Sequence, residues 1–342
     1  MERAFAGDGA STEATVDRNL ALELVRTTEH AALASARWIG RGEKEAADQA
    51  AVDAMRLMLE TVRMDGIVVI GEGEKDEAPM LYNGERIGDG SPPEVDIAVD
   101  PLEGTELTAK GFPGALATIA VSERGSMFNP GPIVYMEKMV CAPSVQHVLD
   151  GAFERPLRDT LRQIAHEKGT DIRDVMVMML DRDRHEASVK EIRDAGARIR
   201  FILHGDVAGA LLAATEGSPV DLLYGIGGTP EGVLSAAGIK AMGGGMIGRL
   251  WPRNDEERTA ALEQGYDLEE VLDADRLCGG DNIFFACTGV TDGDLLQGVR
   301  YEGSRGATTE SLVTRSRSGT VRRIFARHDR QKLRALVGER LG

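Results

Sequence analysis

At 342 residues the chain exceeds the length over which one hydrophobic core keeps growing, so two compact units with a cleft between them are expected. Its formal net charge of −16, with no Lys/Arg-rich stripe carrying interleaved aromatics, speaks against a phosphate-backbone partner, and no nucleic acid is expected. No stretch approaches the apolar length a bilayer requires, and the polar run Met1 to Thr15 lacks the apolar core of a leader; the expectation is a cytoplasmic chain with a loose N-terminus and no membrane partner.

Apolar or small residues recur at helical spacing from Asp17 to Ile39, where Gly40 and Gly42 stop the pattern. A second helix is predicted from about Glu43 to Arg63, with Ala47, Ala50, Ala51, Ala54, Met58 and Val62 on a narrow face suited to close packing. Gly66 to Ile70 reads as a buried strand opening into the acidic loop Gly71 to Glu77, and Val95 to Val99 repeats the plan, ending in Asp100-Pro101-Leu102-Glu103-Gly104-Thr105. Strands at Ala115–Val121 and about 133–140 would complete a first sheet. After a helix near 158–167 the pattern alternates strictly, with strands at 175–180, 198–203 and 220–224 and helices at 186–195, 207–215 and 232–241. Such βαβ units collect functional loops at the carboxyl ends of parallel strands. These loops are Asp181 to His185, His204 to Asp206, and the glycine-rich Gly225 to Gly232. A charged, helix-prone insertion is predicted between Ile247 and Asp275 as a solvated surface element. Strand signals return at 282–288, 307–314 and 320–327, with Ser318-Gly319 as a hairpin turn and Arg315, Arg317, Arg322, Arg323 and Arg327 on its solvated face.

Cys141, Cys278 and Cys287 are odd in number without paired spacing, so free and mostly buried thiols are expected, and the six histidines are scattered. Metal chemistry is left to carboxylates. The strongest signal is at Asp100 and Glu103, because a buried strand aims the first, Pro101 and Gly104 force a tight turn, and the two acids with the Leu102 carbonyl make an oxygen set for a hard cation. The neighbouring Glu72 and Glu74 loop would repel this one unless cations neutralise both. Asp48 can add a ligand from the second helix and Glu231 can close the site across the cleft. Lys44 and Asp48 equally read as a helix-surface ion pair, and Glu74, Asp76 and Glu77 as solvated loop acids.

At these residues the sequence resembles the class II, GlpX-type fructose-1,6-bisphosphatases, relatives of the lithium-sensitive phosphatases. The resemblance runs from about Asn19 to His328 and is carried by Trp38-Ile39-Gly40-Arg41-Gly42, Ile70 to Glu74, Asp76 to Met80, Asp100 to Thr105, Tyr135-Met136-Glu137-Lys138 and Tyr224 to Gly228. It implies an α/β fold, a layered α-β-α-β-α sugar-phosphatase fold with two sheets and an interdomain cleft. The domains would be 1–155, joined by 280–342, and 156–279. It further implies hydrolysis of the 1-phosphate of fructose-1,6-bisphosphate, with a divalent metal, Mn2+ or Mg2+, as cofactor. Asp48 and Glu72 would ligate at one site, and Asp100, Glu103 and Glu231 around a second. Thr105 would stand beside the attacking water, with Lys44 and Glu74 as further catalytic residues. Contacts to the sugar bisphosphate would fall on Glu103, Gly104, Thr105, Tyr135, Arg182, Asp183, Arg184, His204, Gly205, Asp206 and Gly228. Some members carry an acid where His204 stands, and Lys-Pro-Arg-His where Arg182 to His185 stand. Some also accept sedoheptulose-1,7-bisphosphate. A homo-oligomer, dimer or tetramer, is expected. An inositol-phosphate phosphatase and a non-catalytic sugar-phosphate-binding regulator remain open as alternatives.

Overall fold

The computed structural model describes residues 19–73, 80–303 and 306–329, so the expected loose N-terminal run lies outside the described residues. Helices α1 (Ala21–Ser35) and α2 (Lys44–Leu59) come first. Strands β1 (Asp65–Ile70), β2 (Arg86–Ile87) and β3 (Glu94–Glu103) follow, then the short helix α3 (Thr105–Lys110) and β4 (Leu116–Glu123). The middle of the chain forms β5 (Tyr135–Cys141), α4 (Leu157–Glu167), β6 (Met176–Leu180), α5 (Glu186–Ala195), β7 (Arg198–Ile202), α6 (Asp206–Ala213), β8 (Leu222–Gly228), α7 (Thr229–Met242) and β9 (Gly245–Leu250). The remainder is α8 (Asp255–Glu263), β10 (Leu272–Asp273), α9 (Ala274–Leu277), β11 (Phe284–Gly289), β12 (Arg300–Tyr301), β13 (Ala307–Arg315) and β14 (Thr320–His328).

Two mixed sheets result, with strand orders β12-β13-β11-β4-β3-β1-β2, β14 pairing on β13, and β10-β9-β5-β8-β6-β7. Helices α1 and α2 cover the outer face of the first sheet, α6 and α7 lie between the sheets, and α4 and α5 cover the second sheet, which is the expected α-β-α-β-α layering. Each interlayer space holds its own apolar cluster. Alternation along β3 and β4 divides the side chains between them: Ile97 and Ile119 face α1 and α2, whereas Ala98 and Ala120 face the layer of α6 and α7; on β1 a register shift between Val68 and Ile70 puts Val68 in the first cluster and Ile70 in the second. A third cluster, including Met139, Leu161, Val177 and Ile192, lies under α4 and α5.

Helix α7 is buried along most of its length, from Gly232 to Ile239 without a break, as a helix enclosed by two sheets must be. Its small residues fit that place. A methyl group on Gly232 would overlap the Met136 sulfur, and Gly238 meets Leu211 on α6 and the Phe285 ring on β11. Among the described residues no helix is long and apolar enough to cross a membrane.

Three expectations are corrected. The strand near 133–140 belongs to the second sheet, not the first, because β5 pairs antiparallel with both β8 and β9. Gly225 to Gly228 is not a loop but the end of β8, running antiparallel to β5 with Gly228 opposite Tyr135. The insertion begins later than expected: Gly245–Leu250 is an interior strand of the second sheet, while α8, with Ala261 alone buried, and the largely exposed Asp267 to Asp275 form the solvated element, in which Leu272–Asp273 pairs on β9 as a short strand. Strands β6, β7 and β8 are parallel as predicted, and the β13–β14 hairpin turns at Gly319 with Arg322, Arg323 and Arg327 exposed.

Phe285 is fully buried where β11 meets α7. Phe285→Ala is expected to cost about 3–5 kcal/mol, since the rigid sheet and helix around it cannot collapse into the space. Denaturant unfolding monitored by circular dichroism measures it, and a loss below about 1 kcal/mol would contradict this account of the core.

Candidate active site

Strands β1 and β3 are parallel neighbours, so the residues that leave their carboxyl ends emerge on one edge of the first sheet. Glu72 follows β1, its amide bonded to the Leu81 carbonyl at 2.9 Å, while the preceding Gly71 amide is held by the Asn83 side chain at 3.0 Å. In β3 the ladder with β4 slips between Asp100 and Glu103, across Pro101, which has no N–H to donate. Asp100 stays on the face of Ala98, toward the second sheet, and its Oδ1 accepts the Leu102 amide at 3.2 Å. Gly104 then takes a left-handed φ of 82° and starts α3 with Thr105.

Asp48, one turn into α2, reaches the same edge from above, and Glu231 reaches it from the first turn of α7. The cleft so formed has a volume of about 370 Å³ and brings together Lys44, Asp48, Glu72, Asp100, Glu103, Gly104, Thr105, His204, Gly205 and Glu231 from the sequence-predicted set. The Thr105 hydroxyl lies 3.1 Å from the Leu102 carbonyl and 3.4 Å from Asp48 Oδ1. Lys44 is exposed at the rim. Glu74, with Asp76 and Glu77, lies outside the described residues.

Gathering these acids away from water disfavours their charges. Burial, helped by the Asp48 carboxylate, pushes Glu72 up to about 7, and burial also raises Asp48. Asp100 and Glu103 are driven well above the ordinary carboxylate range by burial first and then by neighbouring acids, chiefly Glu103 for Asp100 and Asp206 for Glu103; Glu231 is raised by burial and Asp206. Among the described residues no three His, Cys, Asp or Glu side chains already form a closed coordination group. The donor set nevertheless fits hard cations: it is oxygen throughout, and buried Glu103 Oε2 has no hydrogen-bond partner while Oε1 accepts the Val207 amide at 2.8 Å.

The other predicted contacts lie beside the cleft rather than in it. Tyr135 opens β5 opposite Gly228, and the Arg184 guanidinium stands 4.8 Å from the centre of its ring while donating to the Ile226 carbonyl at 2.7 Å. Arg182 donates to the Leu203 carbonyl at 2.7 Å and reaches His204 Nδ1 at 3.5 Å. Asp183 is exposed, and neither arginine is ion-paired with Asp181 or Asp183 among the described residues. Asp206 is buried and ion-paired with Lys138 at 2.8 Å. A methyl group on Gly227 would overlap the Asp206 carboxylate and one on Gly228 the Glu231 carboxylate, so the glycines of β8 leave room for acids.

Two residues near the site, Lys138 and His185, carry no site role in the sequence analysis. Lys138 follows the charged Glu137 in β5, and nothing in its neighbours along the chain sets it apart; its burial does. His185 is buried, with Nδ1 2.8 Å from the Leu180 carbonyl and Nε2 accepting the Ile226 amide at 2.8 Å, a geometry that assigns the neutral form with its proton on Nδ1. It fixes the strand on which Arg184 lands.

Comparison with known proteins shows the family. A family model described as bacterial fructose-1,6-bisphosphatase, glpX-encoded, matches residues 18–328. The chain is 46% identical over 324 residues to the fructose-1,6-bisphosphatase 1 class 2 of Escherichia coli strain K12, covering 91% of this chain and 95% of that one. The class 2 fructose-1,6-bisphosphatases of Escherichia coli O6:H1 and Shigella flexneri match to the same extent. The chain therefore belongs to the bacterial, glpX-encoded fructose-1,6-bisphosphatase family, a family of metal-dependent phosphatases.

Proposed function

We propose that the chain hydrolyses the 1-phosphate of fructose-1,6-bisphosphate to fructose 6-phosphate and phosphate in gluconeogenesis. The observation that carries this reading is the convergence of Asp48, Glu72, Asp100, Glu103 and Glu231 on one cleft beside Thr105, in a chain of this family. The cofactor is a divalent metal, taken here as Mn2+ or Mg2+ because the donors are hard oxygens. Phosphate-monoester hydrolysis is among the slowest uncatalysed reactions, and bound divalent ions supply the charge neutralisation and Lewis acidity that it needs.

The residues divide the remaining work. Asp48 and Glu72 would hold one ion, and Asp100, Glu103 and Glu231 a second. The Thr105 hydroxyl, set between Asp48 and the Leu102 carbonyl, orients the attacking water; Lys44 faces the phosphoryl group from the rim. Glu74 keeps its catalytic assignment from the family resemblance alone. The sugar and its second phosphate extend past Gly104, His204 and Gly205 toward Tyr135, Arg182, Asp183, Arg184, Asp206 and Gly228. Arg182 and Arg184 suit that phosphate because their partners are carbonyls, which leave the guanidinium charge uncompensated. The reading includes a cytoplasmic homo-oligomer, with three buried free thiols in keeping with a reducing compartment. Sedoheptulose-1,7-bisphosphate belongs in the substrate panel.

Exhaustive chelation is expected to abolish phosphate release from fructose-1,6-bisphosphate, and Mn2+ or Mg2+ to restore it; undiminished activity in chelator would end the metal reading. Asp100→Asn should lower kcat by about a hundredfold or more with the circular dichroism spectrum unchanged, because an amide cannot supply the charge that holds the ion. Near-normal turnover of a folded variant would remove Asp100 from the centre. Replacing Arg182 and Arg184 by Ala should raise KM for the bisphosphate by about tenfold or more while scarcely altering hydrolysis of a small aryl monophosphate, which has no distal phosphate. Equal losses on both substrates would place the arginines at the reacting centre or in folding.

A further inference from the structure

Lys138 is among the largest fully buried side chains of the described residues, 1% exposed in the middle of β5. An ammonium there costs several kcal/mol unless it is paired and hydrogen-bonded. It is both. Its Nζ lies 2.8 Å from Asp206 Oδ2 and donates to the Gly228 carbonyl at 3.0 Å.

Each partner controls a carboxylate of the cleft. Asp206 is the first residue of α6, and the next amide, Val207, donates to Glu103 Oε1 at 2.8 Å, leaving Oε2 as the unpartnered oxygen. Gly228 immediately precedes α7, and the Glu231 carboxylate occupies the space a side chain at Gly228 would fill. One ammonium thus ties the start of α6 to the end of β8, and these two segments face Glu103 and Glu231. A buried ion pair can commonly be replaced by packed uncharged residues at little cost in stability, so stability alone does not account for this one.

We infer that Lys138 is a positioning residue of the metal centre: through Asp206 and Gly228 it fixes the segments that orient Glu103 and Glu231. This inference rests on the proposed ligation by those two carboxylates. Because a clamp and a nearby positive charge act on a cation with opposite signs, the two roles separate experimentally. Loss of the charge alone would tighten binding of a divalent cation, whereas loss of the clamp would weaken it.

The test is calorimetric titration of Mn2+ into the metal-free chain without substrate, alongside thermal unfolding. Lys138→Met combined with Asp206→Asn removes one positive and one negative charge, leaving the net charge beside the cleft unchanged. This double variant is expected to unfold within a few degrees of the wild type and to bind Mn2+ about tenfold or more weakly, the size usual for removing outer support from a metal ligand. Binding within twofold of the wild type would overturn the inference. Lys138→Met alone decides it again by sign: weaker Mn2+ binding, against the tightening that loss of a positive charge produces, supports the clamp, and tighter binding overturns it. Should the wild-type chain itself bind neither Mn2+ nor Mg2+, the proposed metal centre falls and this inference with it; normal wild-type binding with undisturbed variants overturns this inference alone.

Discussion

Repulsion among carboxylates held away from water is the constraint around which this chain is organised. Asp48, Glu72, Asp100, Glu103 and Glu231 line one cleft, and Asp206 stands behind Glu103. Left to themselves such groups separate or take up protons. The fold prevents separation by placing them on rigid elements: β1 and β3 are interior strands of one sheet, α2 packs on β3 and α3, and α7 is enclosed between two sheets. The cost in charge is answered by a buried ammonium on one side and a space suited to cations on the other.

Small residues make that crowding sterically possible. Gly227 and Gly228 yield volume to the carboxylates of Asp206 and Glu231, and Gly104 turns the chain where a side chain would be strained. Their concentration at the ends of β3 and β8 follows from how closely acids and backbone approach there. The same reasoning explains why Asp96, on the same strand face as Asp100, takes no part. Its carboxylate accepts the amides of Ser126 and Met127 at 2.9 and 3.1 Å and closes a turn instead.

Periodicity carried the local structure well, because helix and strand period are properties of neighbouring residues. Helix α5 begins and ends where the pattern predicts, and the parallel run β6, β7, β8 follows from strict alternation. Sheet membership is not local. Nothing in the residues 135–141 says that β5 leaves the first sheet to run between β8 and β9. Glycine misled for the same reason: Gly225 to Gly228 has loop composition, yet the ladder with β5 and the acids behind it decide its conformation. At the cleft, Asp100 and Glu103 were legible because an apolar strand delivers them, whereas Lys138 became visible only once Asp206, far away in sequence, was placed beside it.

The two halves of the proposed chemistry stand on supports of different stiffness. The carboxylates rise from strands and helices whose bodies are core, and such elements hold side chains to the tolerance that transfer of a phosphoryl group demands. Arg182 and Arg184 instead sit in the connection between β6 and α5, held by backbone carbonyls, a His204 contact and the face of Tyr135. A loop of this kind accepts substitution without disturbing the sheet beneath it. A site built this way can keep one reaction while the residues meeting the far end of the substrate vary, and Arg182 to His185 in this sequence lie in that connection.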